Sequence, residues 1–147
     1  MSISRQNLSV IIVSFKSDHI IHRCINSIDK EIEIIVVDNS NNIEFKKNIG
    51  EQYKNVRCIL STKNIGMGAG NNIGIRSTNK DFALVLNPDV ILEKDAINQI
   101  INASKIIDSF SVIAPILDDV QYPNYKLDYT KDQKFDPIKP IKVKSVD

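Results

Sequence analysis

Two aspartates stand where the chain leaves short apolar runs, and both have the chemistry of a ligand contact. In "VLNPD", Pro88 fixes its own φ and holds Asn87 extended. If that extension carries past the proline, Asn87 and Asp89 point to the same side. A carboxylate and an amide placed so suit a hard divalent cation, Mg²⁺ or Mn²⁺, which takes oxygen donors and needs only one or two from protein when phosphates supply the rest. The same letters also spell an Asn-Pro-Asp turn, with Asp89 capping the next segment. In "VVDNSN", Asp38 comes after a strand too apolar to be exposed, so its carboxylate sits at a sheet rim. There it accepts from a nucleobase N–H or ribose hydroxyls, or closes the strand as an Asx-turn. Ser14 and Phe15, at the end of the first apolar run, offer a hydroxyl and a stacking face.

A third signal is "GMGAGNNIG", Gly66 to Gly74, which holds four of the five glycines in the chain. The dinucleotide fingerprint G-x-G-x-x-G does not fit it: its third glycine would fall on Asn71 or Ile73, and the run lies far from the first strand. The cluster asks either for a backbone that approaches something closely or takes positive φ, or for a flexible loop. His19 and His22 have no Cys, Glu or third His in helical register, so a metal role for them is not expected. No Ser-His-Asp arrangement, Walker lysine or H-E-x-x-H occurs.

These residues need a scaffold, and the apolar pattern supplies one. Leu8–Ser14 reads as a strand buried on both faces and Ile32–Val37 as a second buried strand, with Val56–Leu60 and Phe82–Leu86 as a third and fourth and "SVIAP" as a last short one. Between them, Ile21, Cys24, Ile25 and Ile28 fall at helical spacing behind Asp18 as N-cap. A polar stretch of weak helical character comes after "DNSNN", "NNIGIRSTN" reads as a short helix, and another runs from about 95 to 108 on Ile97, Ile100, Ile101 and Ile107. Alternation of this kind predicts an α/β fold, a doubly wound parallel sheet flanked by helices. Ligands bind such sheets beyond the carboxyl ends of the strands, where the polar segments collect. The expected body is residues 1–120, with 121–147 as an extended Lys- and Pro-containing tail.

The whole chain narrows the partners. At 147 residues one domain is expected. A formal net charge of +1 argues against nucleic-acid binding by general electrostatics. No apolar run approaches the roughly 18 residues of a membrane span, and the N-terminus lacks a signal-peptide core. A cytoplasmic protein is expected, and peripheral attachment to the inner face of a membrane is compatible with it. Cys24 and Cys58 lack metal or redox spacing and read as small core residues.

In their order, "LSVIIVSFKSDHIIHRCINSI", "EIIVVDNSN", "NIGMGAGNNIGI" and "ALVLNPDV" resemble the N-terminal, donor-binding half of a family 2 glycosyltransferase of GT-A fold, over roughly residues 7–115. The "NPD" form with this glycine run is most similar to a rhamnosyltransferase-like branch that builds bacterial polysaccharides. The resemblance implies a nucleotide-diphosphate sugar, UDP- or dTDP-linked, as donor and a saccharide or lipid-linked acceptor, with transfer by inversion. It implies that Asp38 contacts the base, that Ser14 and Phe15 border the nucleoside, and that Asn64, Gly66, Gly68, Gly70 and Asn71 line the nucleotide pocket. Gly74 would let the next helix pack tightly. Asp89 would hold a divalent cation on the diphosphate, with Asn87 in the first position of the family's D-x-D motif. Two departures stand out: many relatives carry Arg at position 71, and Asn87 replaces an Asp. The family's catalytic base lies well downstream of D-x-D, and Asp118 and Asp119 come too early to stand for it. The chain is therefore expected to be the donor half, or a nucleotide-binding module that needs a partner chain for acceptor site and base.

Overall fold

The computed structural model describes residues 2–107 and 109–115. The expected tail over 121–147, together with Asp118 and Asp119, lies outside them. Four strands form one all-parallel sheet in the order β3-β2-β1-β4: β1 is Leu8–Ser14, β2 Glu33–Asp38, β3 Val56–Leu60 and β4 Phe82–Leu86. These are the runs the apolar pattern marks, to within a residue. Four helices separate and follow them, α1 (Ile21–Asn26), α2 (Ile43–Gln52), α3 (Met67–Ser77) and α4 (Ala96–Ile106). The chain steps outward from β1 through β2 to β3, then returns to pair β4 on the other side of β1. The strand order therefore reverses beside β1, and in sheets of this kind that switch point sets the ligand crevice at its carboxyl end, here between the loops after β1 and β4.

Side chains alternate across the sheet and sort into two cores. Leu8, Val10 and Ile12 of β1 join Ile34 and Val36 of β2 and Cys58 of β3 on one face, covered by Ile21, Cys24 and Ile25 of α1, Phe45 and Ile49 of α2, and Ile97 and Ile101 of α4. The other face carries Ile11, Ile35 and Val37, with Val13, Ile59 and Ile73 against them. Cys24 and Cys58 are both buried and free, as their surroundings predict. Ala83 and Val85 of β4 fall on this second face and stay exposed.

The second face is covered by α3, and here glycine is decisive. A Cβ on Gly70 would lie 2.9 Å from both methyls of Val13, and one on Gly74 would overlap the Ile11 side chain outright. Removing both side chains lets the helix backbone settle on β1. The run is thus not a loop that precedes a short helix, as its composition suggests. The helix begins at Met67, and only Gly66 takes positive φ, at 81°.

Three further expectations fail. Asp18 does not cap α1: the helix enters from a turn bonded to the Ser17 carbonyl, and the Asp18 carboxylate is taken by Asn42 Nδ2 at 3.2 Å. Residues 111–115 form no strand, and Val112 is exposed, because no neighbouring strand offers it a ladder. The stretch of weak helical character is a full helix of ten residues, capped by the Asn42 side chain on the Phe45 N–H at 3.0 Å.

Gly74→Ala should cost about 1–3 kcal/mol by overpacking against Ile11. Gly68→Ala, with open space where its Cβ would stand, should be neutral or gain up to about 1 kcal/mol of helix propensity. Urea midpoints of the two variants check this, and equal midpoints would remove the packing role of Gly74.

Candidate functional site

In a parallel sheet the chain leaves every strand at the same end. The loops after β1, β2, β3 and β4 all leave at the carboxyl rim, and the ladder extends into them. The Asn39 N–H donates to the Ser14 carbonyl at 2.8 Å, and the Ser61 N–H to the Asp38 carbonyl at 2.9 Å. Nearly all the residues that spacing singles out lie on this rim.

Asp38 is fully buried, and its carboxylate is already committed. Oδ1 accepts from the Ser40 hydroxyl at 2.5 Å and the Ser40 N–H at 3.2 Å, while Oδ2 accepts from the Asn42 N–H at 2.8 Å. This is the Asx-turn alternative, extended by one residue so that Asp38 also fixes the cap of α2. The base contact that the resemblance implies is not prepared in this geometry, because the carboxylate faces its own turn.

Ser14 is fully buried beside Asp38 in register, and its Oγ has no partner in the protein. Phe15 is 47% exposed, with the Lys16 ammonium 5.5 Å from its ring centroid. Such an aromatic face at a rim is available for stacking. Lys16 and Asn41 both take φ of 54°, turning the β1 and β2 loops sharply.

The β3 loop ends in the Gly66 turn. Asn64 Oδ1 accepts from the Gly66 N–H at 2.9 Å, and Asn39 Nδ2 donates to the Gly66 carbonyl at 3.1 Å. Helix α3 has no side-chain N-cap, so the amides of Met67, Gly68 and Ala69 face outward without intrahelical acceptors. Gly68 is exposed with nothing above it, whereas Gly70 is buried against Val13 and belongs to the packing interface. Gly70 is thus turned away from any pocket. Asn71 is half-buried and its Oδ1 is unpartnered.

Across the crevice, the Asn87 carbonyl accepts from the Val90 N–H at 3.2 Å, so "NPDV" is a β-turn and not a continued strand. Asn87 and Asp89 are both exposed on it. The Cys24 thiol approaches the Asn87 carbonyl at 3.6 Å, tying α1 to this turn. Burial first, and then the negative charge of Asp89, push the Cys24 thiol up to about 11. Burial and then Asp38 push Cys58 up to about 12, with Lys46 opposing. Neither is a nucleophile at neutral pH. Among the described residues no three His, Cys, Asp or Glu side chains gather as a metal site. A cation here would rest on Asp89 with Asn87 beside it, and would need the rest of its shell from a ligand's phosphates, as a hard, water-retaining ion does.

Sequence reasoning missed Asn39 and Asn42, which tie the loop after β2 to the Gly66 turn and to the loop after β1. The signal was the density of asparagine in "DNSNN", a residue type suited to turns, caps and positive φ. An open depression of about 490 Å³ lined by Glu33, Arg57, Ser77, Asn79 and Lys80 lies at the opposite, amino-terminal end of the sheet, away from the rim where parallel sheets bind ligands.

A parallel sheet with its loops gathered in this way is the GT-A fold of glycosyltransferases, and solved structures share it. S. aureus TarS matches with a TM-score of 0.55 and 23% identity over 69% of this chain and 32% of that one. The mannosyltransferase PcManGT from Pyrobaculum calidifontis, in complex with GDP-Man and Mn²⁺, matches with a TM-score of 0.58 and 17% identity over the same shares. Residues 9–138 match the model of glycosyl transferase family 2, and the chain belongs to that family. The low-salt glycan biosynthesis hexosyltransferase Agl10 of Haloferax volcanii is 34% identical over 113 residues, which cover 74% of this chain and 36% of the relative. The chain spans about a third of the length of the relatives it matches.

The geometry sets two outcomes. Asp38→Asn should destabilise the ligand-free chain by at least about 2 kcal/mol, since it sets an amide against the Asn42 N–H and breaks charge-assisted bonds; a denaturation curve without ligand reads it. The unfolded chain gives up the two thiol protons near pH 9.0 and the folded chain only near 11 and 12. The stability held in the neutral thiols is therefore complete below pH 9 and is lost as pH rises toward 11–12. A Cys24→Ala, Cys58→Ala chain should show a shallower fall over that range in a pH series of urea midpoints.

Proposed function

We propose that the chain is the donor-binding half of an inverting glycosyltransferase that takes a UDP- or dTDP-linked sugar and serves polysaccharide synthesis. The observation that carries this is the convergence, at the carboxyl rim of a family 2 sheet, of an exposed aromatic face, an uncapped helix start and an exposed carboxylate. Phe15 stacks on the base. The outward amides of Met67, Gly68 and Ala69, at the positive end of α3, receive a phosphate. Asp89, with Asn87 beside it, would hold Mg²⁺ or Mn²⁺. That S. aureus TarS was solved in complex with UDP, and PcManGT with GDP-Man and Mn²⁺, supports this reading.

When bound, the cation neutralises charge on the departing diphosphate. The chain's own residues bind the nucleoside, orient the phosphates and present the anomeric carbon. The acceptor hydroxyl attacks from the opposite side, so the configuration inverts. Its base and its binding site come from polypeptide outside the described residues. Among those residues no helix is long and apolar enough to cross a membrane. We place the protein in the cytoplasm, at the inner face of the membrane if its acceptor is lipid-linked.

A general base contributes typically 10²–10⁴-fold to a rate, and a positioned hydroxyl adds a large effective molarity. The 147-residue chain should therefore bind nucleotide-sugar but give at most slow donor hydrolysis. Asp89→Asn should abolish the Mn²⁺-dependent part of donor binding and leave the urea midpoint within about 0.5 kcal/mol of the parent, as expected for an exposed turn residue. Calorimetry with UDP-sugar, with and without Mn²⁺, is the measurement. Undiminished Mn²⁺-dependent binding by the variant would reduce Asp89 to a turn residue. Multi-turnover transfer by the isolated chain would show that both halves of the reaction are present in it.

A further inference from the structure

Strand β3 ends the sheet, and no strand among the described residues pairs with its outer edge. The ladder to β2 shows which backbone groups are left over. The Asn55 carbonyl accepts from the Ile34 N–H at 2.9 Å, and the Ser61 N–H donates to the Asp38 carbonyl at 2.9 Å, so the odd-numbered residues turn toward β2. Val56, Cys58 and Leu60 therefore turn their N–H and C=O groups outward. The Val56 N–H is taken by the Tyr53 carbonyl at 3.3 Å. Cys58 and Leu60 each keep a donor and an acceptor on an open edge, the place where a sheet takes up another strand.

Beside this edge runs an open depression of about 500 Å³, lined by Lys46 and Gly50 of α2 and by Arg57, Cys58, Ile59 and Leu60 of β3. Gly50 stands inside α2, where glycine weakens a helix, and a Cβ there would meet nothing within 4 Å. Gly70 and Gly74 are glycine because side chains of β1 fill their space. No packing among the described residues accounts for Gly50 in that way, and its bare backbone keeps the trough open. The charge of the trough is one-sided. Lys46 and Arg57 are exposed, and neither is in a salt bridge among the described residues. Arg57 donates through Nη2 to the Ser77 carbonyl and keeps its other N–H groups.

A second copy fits this edge badly, because it would bring its own Lys46 and Arg57 to the same place. Residues 116–147 of the chain hold six lysines against six aspartates, so they bring no acidic excess. We propose that the β3 edge is a docking site for a partner protein, which adds an extended acidic segment to the sheet as a further strand. The segment's main chain pairs with Cys58 and Leu60. Its carboxylates meet Lys46 on the face that α2 covers and Arg57 on the other. The site is separate from the donor site and does not rest on it.

The probe is a short, fluorescently labelled β-branched peptide with glutamates on both faces, titrated by anisotropy. It should bind the parent at least about tenfold more tightly than its lysine counterpart, and than a copy N-methylated at alternate amides, which loses main-chain hydrogen bonds. Hydrogen exchange of the Cys58 and Leu60 amides should slow on saturation. Lys46→Glu should weaken binding about fivefold, the scale of an exposed ion pair. Gly50→Leu should raise the urea midpoint, as a better helix former with room for its side chain, and still bind about tenfold more weakly because the leucine fills the trough. Failure of the acidic peptide to bind would leave the cations as guards of an unused edge and overturn the proposal. Equal binding of the N-methylated copy, or unslowed exchange at Cys58 and Leu60, overturns it as well. So does slow exchange at these amides without peptide: at dimer mass the edge belongs to a second copy, and at monomer mass to the chain's own remainder.

Discussion

The close approach of α3 to β1 governs the geometry of the rim. Val13 and Ile11 fill the space where Gly70 and Gly74 would carry side chains, so the helix axis lies nearer the sheet than any other residue type would allow. That depth sets where α3 begins. It brings the Gly66 carbonyl within reach of an asparagine at the end of β2, at a helix start whose first backbone amides have no side-chain cap. A helix held farther off would carry the same residues and present none of this arrangement.

A second constraint works on the other face of the sheet. Asp38 binds the turn that comes after it, the turn presents Asn42, and Asn42 both caps α2 and donates to Asp18 in the loop after β1. Because these bonds join a buried carboxylate to backbone amides, they hold the loops firmly while leaving little of Asp38 for anything else. Adjacent residues thus divide the work: Asp38 shapes the rim, and Asn39 holds the Gly66 turn.

The opposite bank of the crevice is built more lightly. The Asn87–Val90 turn is anchored by its own hydrogen bond and by the Cys24 thiol, and Asn87 and Asp89 project from it into solvent. Exposure suits a carboxylate that would meet a cation and a diphosphate together, since a buried, unpaired charge would be costly before they arrive.

The sequence by itself determined the sheet. Runs such as "LSVIIVS" and "IEIIVV" are apolar on both faces and rich in β-branched residues, which suits burial on both sides; their spacing with amphipathic segments favours parallel pairing, and parallel pairing places every strand-to-helix loop on one rim. Most of the residues on that rim were legible for the same reason, Asn39 and Asn42 apart, as was the family, through the order of its motifs. What only the tertiary structure decided is how each polar or small residue on the rim is used. Glycine composition reads locally as a loop, but the packing that needs glycine at 70 and 74 depends on Val13 and Ile11, some sixty residues earlier in the chain. Asp18 is a good cap by type and lost that role to a hydrogen bond from Asn42, twenty-four residues away. Asp38 could equally have faced a ligand or its own turn, and Asn39 could have been one more loop asparagine. Hydrogen bonding is directional and short in range, so these choices were settled only when the fold had brought the partners together.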